Sequence, residues 1–152
     1  MCITFLVVGF AGHSIIQQNR FNKDLSLVEK VLDRTMREAM TQGAAGQIRV
    51  ANGAVAGQLM GRDGLWHDVA QATLHFAAFG RHDTLATPWL NCRETAATSY
   101  ANHVIPITTT GAVTNSGAVF LSYSGYEASV ELLESGAMVT FHREQGTHRW
   151  VR

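Results

Sequence analysis

Between residues 21 and 40 the chain keeps a helical rhythm. Phe21, Leu25, Val28, Leu32, Thr35 and Ala39 recur at spacings of four and three, and Leu27, Val31 and Met36 widen the stripe. Lys23, Asp24, Lys30, Asp33, Arg34 and Arg37 fall on the other side. This pattern predicts an amphipathic helix over Phe21–Met40, ended by Gly43 and Gly46. Asp33 and Arg37 stand in the favourable acid-before-base order, four apart. The seam is heptad-like but stops short of the about three or four heptads that a coiled coil sustains. It therefore reads better as the core face of a helix packed on a sheet.

Ahead of this helix the pattern is almost wholly apolar, MCITFLVVGFAGHSII, and the first charge is Arg20. Three readings of Met1–Ile16 stand side by side. A secretory signal needs a basic start and a small-residue cleavage site, and both are missing. A membrane span needs about 20 apolar residues, and His13 is costly in lipid. A short span, or one shielded by other protein as in a subunit packed into a filament, stays open. The third reading is a buried strand, since Ile3–Val8 is rich in β-branched and aromatic residues and Gly9 punctuates it. GFAGHS would then be a turn, but it matches neither GxGxxG nor GxxxxGK[ST]. If the apolar start is helical instead, one rod runs from the N-terminus to about Gln42. A processed N-terminus, its leader already removed, is a further expectation consistent with the missing basic start.

After Gly46 the period changes to two. GQIRVANGAVAGQLMGRDGLWHDV alternates around Asn52-Gly53 and Asp63-Gly64, both hairpin-turn signals. Further strands are predicted at Thr73–Phe79, His103–Thr108, Ala118–Tyr123, Ala128–Leu133, Ala137–His142 and His148–Val151. A helix over Tyr126–Ser135 is the alternative to a hairpin there, and the Val/Thr/Phe run after Gly136 favours the hairpin. Asn91–Asn102 and Thr108–Gly117 read as loops. The fold class is α+β: an N-terminal apolar and amphipathic helix (1–42) followed by an antiparallel β-sheet domain (43–152).

Charge changes the picture by exclusion. Twelve basic and twelve acidic side chains cancel. Such a chain lacks the many Lys and Arg contacts on which nucleic-acid binding depends, so no nucleic-acid partner is expected. Low charge with many Thr, Ser, Ala and Gly fits an extracellular β-rich or assembly protein. Cys2 and Cys92 make no disulfide framework and no CxxC, and read as free thiols.

Candidate chemistry is sparse. His67, His75 and His82 do not share a helical face, and no HExxH or HxH occurs, so no metal or other cofactor is expected. No GxSxG surrounds any serine. Glu127, Glu131 and Glu134 read as a solvated strand edge and turn. No catalytic residue is assigned. Among the aromatics near turns, Tyr100, Tyr123 and Tyr126 are candidate surface contacts. Trp66 and Trp89 read as core plugs. The tail HREQGTHRWVR is a modest basic patch or a solvated final hairpin.

An apolar start, a continuous amphipathic helix and then an antiparallel β domain resembles the type IV pilin and pseudopilin superfamily. MREAMTQGAAGQIRV is similar to the helix-to-first-strand passage of minor pseudopilins. Where that family has Glu at mature position five, this chain has Phe5, and its apolar stretch is shorter and carries His13. The resemblance implies a non-enzymatic structural subunit, extracellular or periplasmic and membrane-anchored before assembly, with Met1–Ile16 in a filament core and the β domain outside. Its partners would be copies of itself or other structural subunits. Phe5, Val8, Leu25, Val28 and Leu32 are the residues expected to pack copy against copy. Two other classes remain open: a trimeric phage fibre or spike tip with a helical stalk, and a small ligand-binding or enzymatic α+β domain whose first strand is ITFLVV.

Overall fold

One α-helix, eight strands and a single 3-10 turn at Ala101–His103 account for the regular structure of the described residues. The computed structural model describes residues 3–144 and 147–152, and over 3–11 the backbone alone. Helix α1 runs unbroken over Ile3–Gln42. The chain has two prolines, Pro88 and Pro106, and neither falls in this range. The strand reading of ITFLVV is thereby overturned. A helix already nucleated over Phe21–Gln42 extends at no further nucleation cost, whereas an isolated strand has no ladder to join. The rod ends where the sequence placed the stop. Gly43 takes φ 58°. The Ala44 N–H reaches back to the Ala39 carbonyl at 3.1 Å, and the Gly43 N–H to that of Met40 at 3.3 Å. This is the paired closure that a left-handed glycine permits.

The strands form two antiparallel sheets. In the first, the order is β3 (Trp66–Thr73), β2 (Ala54–Met60), β1 (Gly46–Ala51), β5 (Val104–Ile107). In the second it is β4 (Ala78–Phe79), β6 (Gly117–Tyr123), β7 (Tyr126–Leu132), β8 (Met138–Glu144). Helix α1 packs on both. Its stripe of Phe21, Leu25, Val28, Val31, Leu32, Met36 and Ala39 meets Ile48, Val55, Leu59 and Ile105 of one sheet and Val119, Leu121, Val130 and Leu132 of the other in a single core. The helix lies close upon β2 at Gly57. A Cβ there would lie 1.7 Å from Thr35 Oγ1. The Thr35 hydroxyl is itself turned back onto the Val31 carbonyl at 2.7 Å. Only a residue without a side chain fits between this helix and this strand.

Both hairpins around Asn52-Gly53 and Asp63-Gly64 form as the sequence predicts, as does the β7–β8 hairpin that competed with a helix. Two strands differ. The expected strand Thr73–Phe79 is split, because β3 ends at Thr73 and β4 is only Ala78–Phe79. The N–H groups of His75, Phe76 and Ala77 donate to the Asp24 carboxylate instead of to a neighbouring strand. The expected strand His148–Val151 reduces to one bridge, Val151 to His142. Asp24, expected on the solvent face of the helix, is fully buried by this contact.

Candidate assembly surface

Among the described side chains of α1, the first that enters the core is Phe21. Residues 3–20, at about 1.5 Å per residue, therefore extend about 27 Å ahead of it. Ile15 and Ile16 are 58% and 51% exposed on this stretch. A ring of contacts braces its root. Tyr126 Oη lies 3.0 Å from Ser14 Oγ, and the Tyr126 ring stacks on Phe21 with centroids 6.1 Å apart. Phe76 carries the Arg20 guanidinium 5.1 Å above its ring and remains 37% exposed. Asp24 fixes the backbone on which Phe76 sits, through N–H bonds of 2.6 Å from Phe76 and 2.7 Å from Ala77.

Among the described residues no helix is long and apolar enough to cross a membrane. The N-terminal part of α1 ahead of Phe21, the tail of the helix, thus has a braced base, with Ile15 and Ile16 exposed beside it.

The residues expected to join copies are distributed otherwise. Leu25, Val28 and Leu32 are buried against this chain's own sheets. The side chains of Phe5 and Val8 lie outside the described residues, as do Met1 and Cys2. Tyr100, expected at the surface, is buried. Its hydroxyl donates to the Asn115 carbonyl at 2.9 Å, and its ring occupies the space that a Cβ on Gly117 would need. Burial also pushes its phenol well up. Tyr123 and Tyr126 are half-buried against the core. Trp66 and Trp89, expected as plugs, are 41% and 44% exposed.

The two inner strands of the second sheet, β6 and β7, are buried on both faces, which the sequence reading missed. The outer face of this sheet is roofed by the connection 80–103. Arg81 lies 4.6 Å above the Phe120 ring and donates to the carbonyls of Glu94, Leu85 and Cys92. Glu127 and Glu131, read from sequence as solvated, are fully buried beneath this roof. The reason is a supply of donors. Glu131 accepts the Leu90 N–H at 2.7 Å. Glu127 accepts the His82 N–H at 2.9 Å, and Arg143 Nε and Nη2 at 2.9 and 2.6 Å. Arg143 also pairs with Asp83 and donates to the Thr147 carbonyl at 2.9 Å. Trp150 lies under that guanidinium, and its Nε1 donates to the Ala86 carbonyl at 3.1 Å. One arginine thus ties the roof, the sheet and the C-terminal segment together.

Among the described residues no group of three or more His, Cys, Asp or Glu is placed to hold a metal ion. The half-buried Cys92 thiol is pushed up by its burial, with the Glu94 charge acting in the same direction, so it is no activated nucleophile.

His142 on β8 supplies a pH dependence. Burial lowers its pKa below the usual 6.5, against an opposing pull from Glu29. Above 6.5 the folded and unfolded chains are both neutral there. As pH falls below 6.5 the unfolded chain takes up a proton that the native site resists, so stability drops until the lowered value is passed. The urea midpoint is expected to fall between pH 7.5 and 5.5, and the His142→Gln variant to show a smaller fall. Equal falls in both proteins would assign the effect to other groups.

No protein-family model matches the chain, and no curated protein matches it. Among solved structures, the minor pseudopilin EpsH from the type 2 secretion system of Vibrio cholerae is similar to it. The two share 15% identity at a TM-score of 0.44, over 88% of this chain and 98% of that one. So slight a likeness carries no functional conclusion.

Proposed function

We propose that the chain is a non-enzymatic, pilin-like structural subunit of an extracellular filament or secretion apparatus, and that it assembles through the N-terminal part of α1. One observation carries this reading. A single helix runs from Ile3 to Gln42, and among its described side chains burial begins at Phe21, while Ile15 and Ile16 ahead of it are half exposed. Packing the part ahead of Phe21 against copies of itself, or against related subunits, removes apolar surface from water at about 25 cal/mol per Å². Leu25, Val28 and Leu32 contribute by holding the rod to the body rather than by meeting a partner.

The test compares three proteins by light scattering without detergent: the full chain, the chain starting at Asn19, and the Ile15→Asp/Ile16→Asp variant. The full chain is expected to form oligomers or filaments, or to need detergent. The other two are expected to be folded monomers. The variant should melt within about 0.5 kcal/mol of the parent, because both side chains are largely in water already. A charge at Leu25 offers no comparable test, since it would unfold the body. A full chain that stays monomeric in plain buffer sinks the proposal.

A further inference from the structure

At the root of the tail, Ile16, Asn19, Arg20 and Lys23 come from α1 and Phe76 from the β3–β4 connection. Together they line a shallow hollow of about 310 Å³. Ile16, Arg20 and Lys23 are spaced four and three apart, so they stack on one side of the helix. The hollow thus holds two cations, an amide, an aromatic ring and an aliphatic side chain. Among the described residues, neither Arg20 nor Lys23 has a carboxylate within ion-pair distance. The nearest acid in the helix, Asp24, is fully buried and turned inward onto the N–H groups of residues 75–77. Arg20 is held ready by its stacking on Phe76.

We infer that this hollow binds the phosphate of an anionic phospholipid headgroup while the apolar tail ahead of it lies in the bilayer. The inference rests on the assembly reading above, in which the tail needs an apolar environment before it meets a partner. Two observations select a lipid. The hollow is continuous with the exposed apolar residues Ile15 and Ile16, so its depth is set where an apolar segment meets water. Its chemistry of Arg, Lys and a half-exposed aromatic is that of side chains that anchor proteins at a membrane interface. Arg20 and Lys23 give charge complementarity to a phosphate, Asn19 adds a neutral donor, and Phe76 sits at headgroup level.

The test is co-sedimentation of the full chain, diluted from detergent, with two kinds of vesicle: phosphatidylcholine alone, and phosphatidylcholine doped with phosphatidylglycerol. The doped vesicles are expected to bind more tightly, by about fivefold for each of the two cations at low salt, with the difference shrinking as salt rises. Arg20→Gln/Lys23→Gln should lose most of that difference and keep the parent's binding to neutral vesicles. Ile15→Asp/Ile16→Asp should instead weaken binding to both kinds. An undiminished preference for the doped vesicles in Arg20→Gln/Lys23→Gln overturns the headgroup assignment and leaves the tail reading intact. Binding of inorganic phosphate to the chain without vesicles, lost in Arg20→Gln/Lys23→Gln, together with no preference for the doped vesicles, also overturns it, in favour of a free-phosphate site. Absence of the full chain from both kinds of vesicle overturns the tail reading, and the headgroup site with it.

Discussion

Replacing Arg143 with methionine is expected to destabilise the protein by about 3–5 kcal/mol. The reason is what the substitution leaves behind. The side chains of Glu127 and Arg143 are 0% and 1% exposed. Without the guanidinium, the Glu127 carboxylate keeps only the His82 N–H and stays under the roof of the second sheet. Asp83 loses its partner as well. Burial acts to raise the Asp83 pKa, yet hydrogen bonds from Arg143 and the Leu85 N–H, with the nearby positive charges, hold it below the usual 3.8. Chemical denaturation is the measurement. The Arg143→Met/Glu127→Leu double variant is expected to recover much of the loss, because two apolar side chains can replace a buried pair but a lone charge cannot be left there. A single-variant loss under about 1 kcal/mol would show that the arginine does not hold this region together.

The second large effect is expected at Asp24. Its carboxylate takes four hydrogen bonds from three consecutive N–H groups, at 2.6 to 3.1 Å. Asp24→Ala strands those donors in a part-buried segment, at a cost of about 3 kcal/mol or more. Asp24→Asn is expected to recover only part, since its amide offers one accepting oxygen and turns a donor toward donors. The distinctive readout is hydrogen exchange. The amides of His75, Phe76 and Ala77 should exchange much faster in Asp24→Ala, while those of β6 and β7 change only with global stability. Unchanged protection at residues 75–77 would mean that the carboxylate does not hold them.

These two residues also show where the sequence stopped being informative. Periodicity found the helix, its stop at Gly43, the hairpins and the α+β class, because each of those is a local pattern with a local cause. It misplaced Asp24, Glu127 and Glu131, because a carboxylate in an apolar row is read as solvated unless its donors are known. Here the donors are backbone N–H groups 41 to 53 residues away, or an arginine on the next strand. One signal was present in the sequence. Asp24 lies three residues after Phe21 and four before Val28, within the buried stripe and not opposite it. Glu127 and Glu131 gave a weaker one, alternating with Ala128 and Val130 on a strand that needs two covered faces. The strand propensity of ITFLVV kept a strand open as an alternative to the helix because it is local, and the helix behind it decides the outcome. The aromatic expectations failed at Tyr100, Trp66 and Trp89 because type and turn proximity do not fix depth.

The unbroken rod has a mechanical consequence. Tension applied to the tail along its axis reaches the body as shear, because α1 lies across both sheets and the chain leaves it only at Gly43, the far end. Shear loads the contacts from Phe21 to Ala39 together, whereas peeling would release them one after another. Near the point of entry, just behind Phe21, the four hydrogen bonds of Asp24 clamp the helix to residues 75–77. A body built this way resists a pull on its helix with the whole buried stripe at once, and the clamp at Asp24 adds to that resistance.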